Sequence, residues 1–185
     1  MYVLVILIGL FLLVLKISSD ILCRDAEAIV KNRNSDLKED LKYIENYIKK
    51  CDCYDFETIC GYLFKLNGYK VFQTRKSADG GRDLEMISPN GEKIFVECKH
   101  YSECNKISTP IINKLIGVCA NNGIKKAYII TTSAYASTAI ELIDDCTIVD
   151  IERLYINDLL ELAKPYHKEL IVWLNERINI APTFN

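Results

Sequence analysis

Histidine is scarce in this chain. His100 and His167 are the only two, so a zinc site would need mostly cysteine ligands. The cysteines lack the spacing for one: Cys51-x-Cys53 has neither a second close cysteine pair nor two neighbouring histidines behind it. Long strand and helix patterns need no disulfide staples, so most thiols read as small core residues or free thiols in a reducing compartment. Positive charge is not in excess either. The net charge of −2 weighs against a tight, non-specific binder of nucleic acid but leaves room for a local basic cluster. No repeat or low-complexity tract is present. At 185 residues, half of them hydrophobic, the chain has room for one domain and an appendage.

Long apolar runs are confined to the N-terminus. Tyr2 to Leu15 is apolar throughout except for Gly9. As a helix this run spans about 21 Å, short of the ~30 Å hydrocarbon core of a bilayer. Snorkelling by Lys16, with Ile17, Ile21 and Leu22 beyond it, would lengthen the segment. No basic residue precedes the run and no Ala-x-Ala follows it, so a membrane anchor over residues 1–17 is expected rather than a cleaved signal. A buried or partner-binding helix is the other reading. Lys16, Arg24, Lys31 and Arg33 follow the run, and the positive-inside bias then places the remainder in the cytoplasm, as a single-pass membrane protein. Residues 18–50 read as a linker or helical stalk. It ends in a helix with Leu37, Leu41, Ile44 and Ile48 at helical spacing and Ser35 or Asp36 as its cap.

The stretch Ser77 to His100 carries the chemistry. Pro89-Asn90-Gly91 is a hairpin turn, with Gly91 closing a three-residue loop. Placing Ser88 opposite Glu92 sets Leu84 against Val96 and Met86 against Ile94, with Cys98 beyond them on one apolar face. The other face then carries Asp83, Glu97 and Lys99, with Asp83 directly opposite Glu97. A one-residue slip would mix the faces. Opposed carboxylates repel, and a hard divalent cation with oxygen ligands would offset the repulsion. Lys99 shares the face of Glu97 at a spacing of about 6.8 Å along the strand. Two acids and a lysine around a cation suit phosphodiester hydrolysis: the cation polarises the phosphoryl group and activates water, and lysine stabilises developing charge or holds the water.

The flanking chain predicts a mixed α/β fold. Tyr54–Leu66 is a helix with Phe56, Ile59, Cys60, Leu63 and Leu66 inward, and Tyr69–Thr74 is a short strand. Asp79-Gly80-Gly81 is a turn whose glycines allow positive φ and a close phosphate. A helix opens at Thr109-Pro110 and stops at Asn121-Asn122-Gly123. Lys126–Thr132 is a buried strand, Ser133–Ile143 holds a helix, and Cys146–Ile151 is a strand. Strand, helix, strand implies parallel crossovers appended to the antiparallel hairpin. Arg153–Ala163 is a helix, and Pro165 begins a last one. Thr131, Thr132 and Ser133 at a strand end read as a phosphate contact or, more plainly, as a helix cap.

Asp83 followed by Glu97-Cys98-Lys99 resembles the PD-(D/E)xK nuclease signature. Phe56-Glu57 on a helix, Gly68-Tyr69-Lys70-Val71, Asp79 to Leu84, Val96 to Lys99 and Ala127 to Ser133, in that order, resemble the Mrr-type restriction endonuclease catalytic domain over about Asp52 to Leu162. The resemblance implies a restriction-endonuclease-like mixed β-sheet flanked by helices, here preceded by a transmembrane-type helix. Together with the apolar N-terminus and the polar stretch after it, the resemblance divides the chain into an anchor at 1–17, a linker or stalk at 18–50, a nuclease domain at 51–164 and a C-terminal helix and tail at 165–185. It implies a metal-dependent DNA endonuclease of restriction or defence against foreign DNA, using Mg²⁺ with Mn²⁺ able to substitute. Asp83, Glu97 and the Cys98 backbone carbonyl would ligate the metal, and Lys99 would position water or stabilise the transition state. Glu57 would contribute as well, because relatives place a glutamate on this helix near the metal. An exposed first-turn glutamate is the plainer reading of that residue. Relatives often carry glutamine where Glu97 stands, and glutamate adds a negative ligand. Arg75, Lys76, Arg82, His100 and Lys106 cluster in sequence around the site as DNA contacts, or else as a solvated surface. The alternatives are a non-catalytic, membrane-tethered DNA-binding or interaction module and a structure-specific repair nuclease. The tail after Arg177 reads as loose, with a part in a homodimer left open.

Overall fold

The computed structural model describes residues 2–74, 81–102 and 104–180, with side chains described outside 2–15, 17–22, 25–28 and 178–180. Residues 1–40 form one unit and Leu41–Asn185 a second. Helix α1 covers Tyr2–Lys50, so the first unit is helical and the helix's last turns belong to the second. Among the described residues no helix is long and apolar enough to cross a membrane. The side chains of the expected anchor at residues 1–17, Lys16 apart, lie outside the described residues, so this absence says nothing of that segment.

In the second unit, α2 (Cys53–Leu66) opens where the Asp52 carboxylate accepts the Asp55 N–H at 2.8 Å. It closes at Asn67, whose side-chain amide donates to the Leu63 and Leu162 carbonyls. Strands β1 (Lys70–Gln73), β2 (Leu84–Ile87) and β3 (Lys93–Lys99) follow, then α3 (Thr109–Asn121), β4 (Lys126–Thr131), α4 (Ser137–Asp144), β5 (Asp150–Leu154) and α5 (Ile156–Ala163). A 3₁₀ turn at Lys164–Tyr166 leads into α6 (His167–Ile180). The sheet order is β1-β2-β3-β4-β5. The first three strands are antiparallel, and β3, β4 and β5 are parallel. This is the mixed sheet predicted from the strand-helix-strand pattern.

Side chains alternate between two buried faces. Leu84, Met86, Ile94, Val96, Cys98, Tyr128 and Ile130 meet α2, α5, α6 and the end of α1, through residues such as Ile48, Phe56, Leu63, Leu159 and Leu174. Phe95, Ala127, Ile129 and Ile151 meet α3 and α4 through Ile112, Leu115, Ala139 and Ile143. The largest boundary differences from the sequence expectation are at β5 and α5. Strand β5 begins at Asp150 rather than Cys146, because pairing starts where Asp150 meets Lys126 and continues to Leu154 against Ile130. That pairing takes Arg153 and Leu154 from the expected helix. Helix α5 then opens on a capping box in which Asp158 accepts the Tyr155 N–H at 2.7 Å.

Candidate active site

The hairpin register is the one the apolar alternation predicts: Leu84 pairs with Val96 and Met86 with Ile94. The Ser88 N–H donates to the Glu92 carbonyl at 2.9 Å, and Gly91 takes φ 85° to close the loop. The ladder changes at Asp83. Its N–H donates to the Val96 carbonyl at 2.8 Å, although Leu84 is the Cα partner of Val96. Two residues share one partner, as at a β-bulge, a device that re-aims a side chain. The re-aimed Asp83 Oδ2 accepts the Cys98 N–H at 2.7 Å. Asp83 therefore does not sit squarely opposite Glu97. Its carboxylate occupies the ladder position beside Cys98 instead. The residue after β1 holds this geometry: Thr74 Oγ1 donates to the Arg82 and Asp83 carbonyls at 2.9 and 3.0 Å.

Lys99 gathers the group. Its Nζ lies 2.6 Å from Glu97 Oε1, 3.2 Å from the Cys98 carbonyl and 3.9 Å from Asp83 Oδ2. Its own carbonyl accepts from Thr131 Oγ1 at 2.8 Å. Glu97 is only 5% exposed. Burial raises its pKa, and the Asp83 carboxylate raises it further, against the pull of Lys99 and then Lys114. Burial pulls the Lys99 ammonium down, but the facing Glu97 and then Asp83 outweigh it, so its pKa ends above the ordinary value.

Glu57 is half-buried on α2, the helix that covers the Cys98 face. The Cys98 thiol is pushed up by its hydrogen bond with Cys60, by burial and by the Cys60 charge, and then by Asp83 and Glu57. Both carboxylates thus act on one residue of the motif, from just before β2 and from α2. Arg82 is half-buried, its Nε 2.8 Å from Glu85 Oε1 and its guanidinium 4.3 Å over the Phe95 ring. His100 Nε2 lies 2.8 Å from the Ile48 carbonyl and its ring packs on Phe56, tying the end of β3 to α1. Lys106 is exposed in the loop before α3. Arg75 and Lys76 lie outside the described residues. The hydroxyls of the β4 end are engaged: Thr132 Oγ1 bonds both the N–H and the carbonyl of Tyr101, and Ser133 Oγ donates to the Asn105 carbonyl. Lys114 on α3, which acts on Glu97, carries no motif and only the tertiary fold brings it here.

The donor set suits a hard divalent cation. Among the described residues no three His, Cys, Asp or Glu side chains gather to hold a metal. The oxygens present are instead the two carboxylates and the Cys98 carbonyl, all facing one ammonium. Such a set matches a cation that keeps several waters and takes one or two carboxylates.

The model of the restriction endonuclease family, the Mrr catalytic domain, matches residues 48–162. The chain belongs to the Mrr restriction endonuclease family. A search of curated proteins finds no match. Among solved structures, the DNA modification-dependent restriction endonuclease AspBHI aligns with a TM-score of 0.57 at 19% identity, over 76% of this chain and 39% of its own. The MspJI restriction endonuclease, solved in complex with a 27-mer oligonucleotide, aligns with a TM-score of 0.53 at 16% identity, over 75% of this chain and 34% of its own. The chain thus spans well under half the length of either protein, and the shared property is the fold. The restriction endonuclease fold generally uses divalent metal ions, and the fold expectation is met by the mixed sheet of the Mrr domain.

Proposed function

We propose that this Mrr-family chain is a divalent-metal-dependent DNA endonuclease that hydrolyses phosphodiester bonds in restriction or defence against foreign DNA. The observation that carries the reading is the Lys99 ammonium set among Glu97 Oε1, the Cys98 carbonyl and Asp83 Oδ2 at 2.6, 3.2 and 3.9 Å. Asp83, Glu97 and the Cys98 carbonyl would hold Mg²⁺, with Mn²⁺ able to substitute. Bound there, the ion would supply Lewis-acid polarisation of a phosphoryl oxygen and a nucleophilic water at neutral pH. Lys99 faces the same space, where it stabilises charge on the phosphoryl oxygens or orients the attacking water. Glu57 approaches from α2 and adds negative charge near Cys98. Oligonucleotide binding by MspJI supports DNA as the substrate.

The test is plasmid cleavage by the purified full-length chain in Mg²⁺ or Mn²⁺ against EDTA, beside Asp83→Ala. Metal-dependent nicking or linearisation, lost in the variant, is expected. DNA binding without cleavage of plain, modified or branched substrates would replace the enzyme with a binding module. Cutting both strands in one binding event needs two such centres, which a homodimer supplies. Linearisation without a nicked intermediate is its expected signature. The apolar run Tyr2 to Leu15 and the lysines and arginines after it support a membrane-anchored protein with a cytoplasmic nuclease domain. Removal of residues 1–17 should shift the protein out of the membrane fraction and leave cleavage intact.

A further inference from the structure

Lys114 has no place in the mechanism above. It is exposed on α3, the helix that covers the sheet face of Phe95 and Glu97. Its stem lies across Gly81, two residues before Asp83. A Cβ on Gly81 would sit 2.8 Å from Lys114 Cε and 3.1 Å from its Cγ, and 2.9 Å from Val118 Cγ2. Gly81 also has φ +98°, a backbone conformation that other residues rarely adopt. The start of the hairpin is thus bare where the lysine crosses it. From there the ammonium acts on Glu97, where it favours the carboxylate.

Charge decides what such a residue is for. Asp83, Glu97 and Glu57 bring three negative charges to the end of β3. Lys99 offsets one of them and is held by Glu97 at 2.6 Å. A phosphodiester approaching these groups meets a net negative field. A bound divalent cation would bring the balance only to about zero. Lys114 adds a positive charge on the solvent-exposed side of these groups.

We propose that Lys114 receives the DNA phosphate at this site, its ammonium holding a non-bridging oxygen of the strand beside Asp83 and Glu97, and that Gly81 is glycine so that the lysine stem can lie across the hairpin. The proposal rests on the nuclease reading. It makes Lys114 a binding residue, distinct from Lys99, which faces the reacting centre.

The experiment measures fluorescence anisotropy of a labelled duplex with the full-length chain in Ca²⁺ across a salt series, for wild type, Lys114→Ala, Lys114→Arg and Gly81→Ala. Steady-state cleavage in Mg²⁺ accompanies it. Lys114→Ala sits at an exposed helical position and keeps the fold. Its binding should weaken roughly tenfold at low salt, and its slope of log K against log salt should become shallower by about one. KM should rise with kcat changed by less than about threefold, and Lys114→Arg should restore both. Gly81→Ala should lose the same increment of slope. Wild-type affinity and slope in Lys114→Ala would overturn the assignment, as would a fall in kcat with binding intact. A wild-type chain that binds no DNA at all would overturn the nuclease reading itself and Lys114's part with it.

Discussion

Glu97 is buried, and both its burial and the neighbouring Asp83 raise its pKa. The sign of the resulting stability term follows from linkage. The unfolded chain loses this proton at the ordinary carboxyl pKa, below the folded one. The contribution to stability is therefore present below the unfolded value and is lost as pH rises through the folded value. Above the unfolded value, and so at neutral pH, Glu97 works against the fold. Glu97→Gln should thus melt at a higher temperature than wild type at pH 7, with the difference closing at about pH 4 and below, and cleavage should be lost. Thermal denaturation between these limits checks the sign; an unchanged or lower melting temperature at pH 7 contradicts it. Lys99 poses the complementary question. Its ammonium contacts two of the oxygens that a divalent cation would take and lies 3.9 Å from the third. Lys99→Met should bind Mg²⁺ or Mn²⁺ several-fold more tightly by isothermal titration, while cleavage falls by about 10² or more. Unchanged metal affinity would mean that the ammonium and the ion do not compete.

At the level of the element, the hairpin was legible because its information is local. Alternation of Leu84, Met86, Ile94, Val96 and Cys98, with the chemistry of Pro89-Asn90-Gly91, specifies one register, and Leu84 pairs with Val96 accordingly. The bulge at Asp83 was not legible. It depends on the residue that follows β1, Thr74, whose side chain and N–H both bond the Asp83 carbonyl, at 3.0 Å each. The same limit explains the shifted start of β5, which is set by Lys126 on another strand. It explains Lys114 too, an exposed helical lysine that only the packing of α3 against Gly81 brings to the site. His100 is likewise placed by tertiary packing, its ring on Phe56 and its Nε2 against the Ile48 carbonyl. The clamp at the bulge can be tested alone. Thr74→Val keeps the shape and removes the hydroxyl donor. It should cost about 1 kcal/mol in urea denaturation and slow cleavage by roughly tenfold, since a small misplacement of Asp83 is amplified in rate. Full cleavage in Thr74→Val would show that the backbone bond alone aims the carboxylate.

For the molecule as a whole, the boundary of the folding unit decides which fragment can act. The family match covers residues 48–162, yet the core that supports Cys98 draws on more chain. Ile44 from α1 and Leu170 and Leu174 from α6 are fully buried in the same cluster as Phe56, Val96 and Cys98. The C-terminal helix is tied in further by the stacking of Trp173 on Tyr62, with centroids 4.1 Å apart, and by Arg177 on Asp55 at 2.8 Å. A fragment of residues 48–162 would expose the α2 face that carries Asp55 and Tyr62 and loosen the end of β3 that carries Glu97 and Lys99. A fragment of residues 35–185 keeps Ser35 or Asp36 to start the shortened helix and retains the whole cluster. It should unfold in one transition and cleave DNA as the full chain does, whereas residues 48–162 should bind a hydrophobic dye and fail to cleave. Leu174→Ala tests the same point without truncation. Loss of a fully buried leucine should cost about 2–5 kcal/mol and lower the melting temperature, while cleavage survives at temperatures where the variant is still folded. If residues 48–162 instead unfolded cooperatively and cleaved DNA at the full rate, α6 and the end of α1 would be packing added to an already sufficient catalytic domain.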